Sequence, residues 1–202
     1  MIAVIDVCGN NLSSIGNALA RLGFEYKLTH NPRDIEQASH VIIPGVGSAK
    51  IGMQALIKYD LIEVIKQIRQ PLLGICLGMQ LLLDYSEEGD IACLGLIPGV
   101  ARRLQALENY PVPHMGWNKL LWSRETALNK GLSDEAYVYF VHSYALVGAP
   151  GAQYELAGCQ YSGRFSAIIQ QDNRYGMQFH PEKSAETGIS LLSNFLQLES
   201  LL

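Results

Sequence analysis

The sequence predicts an α/β domain of three layers, with helices on both faces of a mixed sheet. Three observations predict it. The first half alternates apolar runs of strand length with apolar residues at helical spacing, the pattern of βαβ units and a parallel sheet. The second half strings short strand segments together with turns between them, which suggests hairpins and antiparallel additions. The chain has 202 residues, 49% apolar and 17% charged, which suits one domain over 1–202 with a real core and little disorder.

The elements follow in order. Ile2 to Val7 is a continuous apolar strand, and Leu12, Ile15, Leu19 and Leu22 recur at helical spacing until Gly23. Phe24 to Thr29 reads as a second strand. Val41-Ile42-Ile43 is a third, ended by Pro44-Gly45-Val46-Gly47. A helical region covers roughly Ala49 to Arg69 with a break near Tyr59-Asp60, and Pro71 precedes the strand Leu72 to Ile75. An apolar helix follows over Met79–Leu83. Later strand candidates are Val100–Leu104, Lys119–Trp122, Tyr137–Val141, Tyr154–Gln160, Phe165–Ile169 and Tyr175–Phe179. An amphipathic helix from about Glu186 to Leu198 closes the pattern. In such a sheet, chemistry belongs at the carboxyl ends of the parallel strands.

Composition excludes several classes. A net charge of -4 argues against a basic groove for nucleic acid. Cys8, Cys76, Cys93 and Cys159 form no C-x-x-C pair, so neither a disulfide framework nor a zinc knuckle is expected. Met1 to Asp6 has no basic region and no cleavage site of the signal-peptide kind. The longest mostly apolar stretch, Leu72 to Leu83, is too short for a bilayer and contains Gln80. The expected setting is soluble and reducing, the cytoplasm, with no membrane partner.

Cys76 carries the strongest chemical signal. Gly74-Ile75-Cys76-Leu77-Gly78 has the form G-x-C-x-G between an apolar strand and an apolar helix, the context of a nucleophile elbow. A nucleophile held in strained geometry on a tight turn needs small neighbours, and the two glycines supply the room. The turn lifts the sulfur to a helix N-terminus, where free N–H groups favour a thiolate. The N–H of Leu77 then faces a developing oxyanion. The bland alternative is a buried cysteine between packing glycines.

The matching base is His180, in His180-Pro181-Glu182 after a strand. In extended backbone, residues two apart face one side, so Glu182 reaches the imidazole and fixes its tautomer. The other histidines carry less. His30 and His40 read as solvated, His114 as part of a Pro-rich turn, and His142 as a satisfied core histidine at a strand end. No H-x-x-x-H or H-E-x-x-H spacing is present, so no metal or other cofactor is expected. Gly45-Val46-Gly47-Ser48 lacks the closing G-K-[ST] of a phosphate loop and better suits a backbone N–H presented to a substrate oxygen.

Together, P-G-V-G at 44–47, G-I-C-L-G-M-Q at 74–80 and F-H-P-E-K-S at 179–184 resemble the class I, triad-type glutamine amidotransferases, a flavodoxin-like fold, over essentially the whole chain. Pro113-His114-Met115-Gly116-Trp117-Asn118 and Tyr139-Phe140-Val141-His142-Ser143-Tyr144 are similar to one branch, the glutaminase subunits of imidazole glycerol phosphate synthases of histidine biosynthesis. The resemblance implies Cys76, His180 and Glu182 as catalytic residues, and the N–H groups of Leu77 and of the Val46–Gly47 region as the oxyanion hole. Gly47, Gln80, Glu88, Ser143 and Tyr144 would surround glutamine. It also implies a heterodimer with a (βα)₈-barrel cyclase/synthase subunit that receives ammonia, contacted through Asn11, Ser14, Trp117, Asn118, Tyr139 and Lys183. The segment Asp6-Val7-Cys8-Gly9-Asn10-Asn11-Leu12 departs from the branch, with Cys8 and Asn10 where glycine is usual. Three rivals stay open: the glutaminase of an anthranilate or aminodeoxychorismate synthase, a non-catalytic interaction module of the same fold, and a peptidase or γ-glutamyl hydrolase. Met79 disfavours the first, since those relatives typically carry histidine there.

Overall fold

A computed structural model describes residues 1–7, 12–148 and 153–199. The chain runs β1 (Ile2–Ile5), α1 (Leu12–Arg21), β2 (Tyr26–Thr29), α2 (Pro32–Glu36), β3 (His40–Ile43), α3 (Ala49–Lys58), α4 (Leu61–Gln67), β4 (Leu72–Ile75) and α5 (Leu77–Leu81). Short strands β5 (Tyr85–Ser86) and β6 (Ile91–Ala92) lead to β7 (Val100–Arg103), β8 (His114–Lys119) and β9 (Leu121–Trp122). Then come β10 (Tyr137–His142), β11 (Tyr144–Leu146), β12 (Glu155–Gln160), β13 (Arg164–Gln171), β14 (Arg174–Met177) and α6 (Ala185–Phe195).

The main sheet has the order β2-β1-β3-β4-β14-β13-β12-β9. Its first five strands are parallel and the last three are added antiparallel. The inner strands β1, β3 and β4 are buried on both faces, which is why they read as continuous apolar runs, while the edge strand β2 is largely exposed. Alternation splits each strand between two cores. Ile2, Val4, Ile42, Leu73 and Ile75 face α1 and α6, packing with Ile15, Leu19, Leu191 and Phe195. Ala3, Ile5, Val41, Ile43 and Leu72 face α2 to α5, packing with Ile35, Met53, Leu56 and Ile65. The three-layer mixed sheet expected from the sequence is therefore present.

Several local expectations need correction. His114 begins β8 and is buried, stacked 3.9 Å from the Tyr161 ring, where the prolines before it suggested a turn. The strand placed at Lys119–Trp122 is two strands: β8 pairs with β10 in a separate ribbon and β9 joins the main sheet. His40 is buried and donates from Nε2 to the Leu198 carbonyl at 3.1 Å, because β3 runs beneath the end of α6. The break near Tyr59-Asp60 is real: Asp60 takes a left-handed conformation between α3 and α4. Cys8 and Asn10, the departures from the glycine pattern, lie outside the described residues.

The strands missed by sequence, β5, β6 and β11, build a four-stranded sheet with β7, order β11-β7-β5-β6. Two-residue strands leave too little periodicity to read. Among the described residues no helix is long and apolar enough to cross a membrane.

Candidate active site

Three adjacent parallel strands, β3, β4 and β14, end on one rim of the sheet. Val46-Gly47 follows the first, Cys76 the second and His180 the third. The order of strands reverses between β1 and β3, so the site sits beside that reversal and not at it.

Cys76 has φ 53° and ψ -106°, a positive φ that a side chain rarely adopts. The glycines around it are dictated by packing. A Cβ on Gly74 would lie 2.5 Å from the Gly78 carbonyl carbon and oxygen, and one on Gly78 would run into the Ile43 carbonyl oxygen. The elbow thus forms only where β4, α5 and β3 approach backbone to backbone, and the strain at Cys76 is held by that contact. The Cys76 N–H donates to the Met177 carbonyl at 2.7 Å, tying the elbow to β14.

His180 Nδ1–H donates to Glu182 Oε1 at 2.8 Å, and both side chains are 2% exposed. His180 and Glu182 do meet, but not through the alternation of extended backbone. Residues 181–183 form a 3₁₀ turn, and it is this turn that swings Glu182 back to the ring. His180 Nε2 is buried without a hydrogen bond, so one ring nitrogen is oriented and the other is left for chemistry. Burial pulls the His180 pKa down, but the interactions with Cys76 and Glu182 outweigh it and raise it to about 10.

A cleft of about 220 Å³ opens over the sulfur, lined by Val46, Gly47, Cys76, Leu77, Gln80, Glu88, Val141, His142, Ser143 and Tyr144. Every residue assigned to glutamine or to the oxyanion lies in this cleft. Gly47 has φ +107°, a conformation that favours glycine, with open space where a Cβ would stand. Gln80 Nε2 donates to the Tyr144 carbonyl at 2.9 Å. Glu88 Oε2 accepts from the Ala49 N–H at 3.1 Å. A carboxylate therefore already occupies the start of α3, which speaks against a phosphate there. Burial raises the Glu88 pKa, partly offset by that N–H. The neighbouring Glu87 fixes the loop, bonding Arg102 at 2.8 Å and the Arg103 N–H at 3.0 Å.

Val141, His142 and Gln178 were not singled out as site residues. The Val141 carbonyl lies 3.8 Å from Cys76 Sγ. His142 Nδ1–H donates to the Tyr144 carbonyl at 2.9 Å, and its Nε2 accepts from His114 Nδ1–H at 3.2 Å. Burial pushes His114 down to about 4 and His142 to about 3, the latter opposed by the Tyr144 carbonyl and reinforced by the neighbouring histidines. Both are satisfied neutral core groups. Cys93 and Cys159 are free thiols that burial pushes up to about 11 and about 12.

The docking candidates divide. Trp117 and Tyr139 are register partners in the β8–β10 ribbon, with ring centroids 6.0 Å apart, and Trp117 is 53% exposed. Lys183 is exposed beside the triad turn, and Ser14 lies near Glu182 across a shallow groove. Asn118 alternates to the other face of β8, where its Nδ2 donates to the Gln160 carbonyl at 2.9 Å. Asn11 lies outside the described residues.

A cysteine on a strained turn, an oriented histidine and a carboxylate can together perform acyl transfer. The family model "Glutamine amidotransferase class-I" matches residues 3–198. The chain belongs to the class-I glutamine amidotransferases. Among members of this family, "Imidazole glycerol phosphate synthase subunit HisH 2" of Legionella pneumophila (strain Paris) is 62% identical over 200 residues, 99% of each chain. The HisH subunit of Xylella fastidiosa (strain Temecula1) is 50% identical over 199 residues, 98% of each. Solved amidotransferases share the fold. One, described simply as a glutamine amidotransferase, superposes with a TM-score of 0.74 at 20% identity, covering 97% of both chains. Another, from Thermotoga maritima, gives 0.64 at 18% identity, covering 92% of this chain and 77% of its own.

Proposed function

We propose that this chain is the glutaminase subunit of imidazole glycerol phosphate synthase. The observation that carries the proposal is a cleft lined by the strained Cys76 with Gln80, Glu88, Ser143 and Tyr144, where Cys76 also interacts with the Glu182-oriented His180. The full-length likeness to HisH subunits supports the branch.

The chemistry follows from the geometry. His180 Nε2 takes the thiol proton, and Cys76 Sγ bonds to the side-chain amide carbon of glutamine. The amide oxygen becomes an oxyanion, held by the Leu77 N–H and an N–H of the Val46–Gly47 segment. Collapse expels ammonia, which receives its proton from His180, and leaves a glutamyl thioester. A water deprotonated by His180 then attacks the thioester. Glutamate leaves and the thiol re-forms. Glu182 stabilises the imidazolium in both halves of the cycle.

Ammonia freed into water mostly protonates and loses its nucleophilicity. The chain therefore works in the cytoplasm docked on a (βα)₈-barrel cyclase subunit, through Trp117, Tyr139, Lys183 and Ser14 beside the triad. Asn118 braces the ribbon behind them. The barrel uses the ammonia to form imidazole glycerol phosphate and an aminoimidazole carboxamide ribonucleotide. The test is a Cys76→Ala chain assembled with the barrel subunit. Glutamine-dependent synthesis should vanish while ammonium-dependent synthesis persists. Persistence of the glutamine-dependent reaction would refute the assignment.

A further inference from the structure

We propose that Gln178 is a hydrogen-bond donor to the reacting sulfur and stabilises its negative charge; this rests on Cys76 being the nucleophile. β14 pairs with β4 in register, Gly176 opposite Gly74 and Met177 opposite Ile75. One step further sets Gln178 opposite Cys76. Its side chain is fully buried, and its Nε2 lies 3.8 Å from Cys76 Sγ, within reach for sulfur.

The amide's orientation is dictated by a relay that begins at a backbone carbonyl. The Tyr144 carbonyl can only accept, so the end of Gln80 that meets it at 2.9 Å is the NH₂ group. The second hydrogen of that group points at the Gln178 side chain, 3.3 Å away, so the atom there is Oε1. Gln178 must then turn its own NH₂ to the sulfur. Flipping either amide would set two donors or two acceptors face to face.

The sulfur has an opposing neighbour. The Val141 carbonyl, also at 3.8 Å, accepts from S–H and disfavours a charged sulfur. Gln178 supplies the compensating donor from the other side. It reaches the charge without reaching the substrate, since it does not line the cleft. A glutamine with no exposed surface is costly to bury unless both ends are bonded, and here both are.

Two uncharged variants test donation, and the split between kcat and KM separates it from support. Gln178→Met keeps the volume and removes both bonds. Gln178→Leu removes both bonds with a shorter, branched side chain. The probe is iodoacetamide, with adducts mapped by mass across pH. Cys93, half-buried elsewhere, is the internal reference. The other titratable groups around the sulfur and cleft, His180, Glu182, His142 and Glu88, stay in place. In both variants Cys76 alkylation at pH 7 should slow by about tenfold or more, and its pH midpoint should rise by about one unit. Cys93 should be unaffected, and kcat should fall with KM for glutamine held. If Gln178→Met fails to fold, Gln178→Leu alone decides. An unmoved midpoint with a raised KM would overturn the proposal and reduce Gln178 to a prop for Gln80. Absence of Cys76 alkylation in the parent chain would remove the nucleophile assignment and this inference together.

Discussion

Replacing Glu182 with glutamine perturbs the proposed catalytic unit at a bond that orients its base. The bond is 2.8 Å long and both side chains are 2% exposed, so solvent cannot replace what is lost. Glutamine still offers an oxygen to Nδ1–H, and the tautomer survives. What disappears is the negative charge that stabilises the imidazolium. A hydrogen bond to a charged group contributes about 1.5–3 kcal/mol, which corresponds to roughly 10- to 150-fold in rate. Steady-state release of glutamate by the Glu182→Gln chain with the proposed barrel partner should show that fall in kcat, with KM within about twofold because Glu182 does not line the proposed glutamine cleft. The His180 pKa should also fall from its raised value, since one of its two supporting neighbours is neutralised. An unchanged kcat would refute the orienting role. A change confined to KM would do so equally.

Other outcomes follow from the same structure. Gly78→Ala drives a methyl into the Ile43 carbonyl, so stability should drop by about 2–3 kcal/mol and the melting temperature by roughly 5–10 °C; calorimetry showing no drop would mean the elbow relaxes freely. His114 and His142 are held neutral, with pKa values near 4 and 3, while their unfolded counterparts protonate below about pH 6.5. The contribution of these two histidines to stability should therefore be full above pH 6.5 and fall as the pH drops toward 4, read as a urea midpoint that declines on the acid side; a flat profile below pH 6.5 would contradict their burial. Trp117→Ala removes a side chain 53% exposed, so the melting temperature should hold while affinity for the barrel weakens by about 30-fold, and calorimetric titration with equal affinity would remove Trp117 from the interface.

The elements with strong periodicity were legible in the sequence. β4 was bounded at the same residues, and the break between α3 and α4 was visible at Tyr59-Asp60. The elbow could be read because its two glycines answer a local demand, the close approach of backbone at Gly74 and Gly78. Long-range contacts were not legible. His114 pairs with His142, and His40 meets the end of α6, through partners 28 and 158 residues away. Prolines ahead of His114 suggested a turn, and tertiary pairing with β10 overrode them. Glu182 was found through a spacing that the 3₁₀ turn satisfies for another reason. Gln178 did leave a signal. It is a polar residue two positions before His180 and in phase with it, in a segment otherwise apolar, and only the register with β4 shows that it faces the sulfur.

The central claim is that Cys76 attacks a glutamine amide. Its most direct test is to incubate the chain with a glutamine-mimicking electrophile, alone and with the barrel subunit, and to locate the adduct by mass. The account predicts a single adduct on Cys76, formed slowly alone and faster with the partner, as docking settles the Val46–Gly47 segment over the cleft. No adduct on Cys76 under either condition would contradict it.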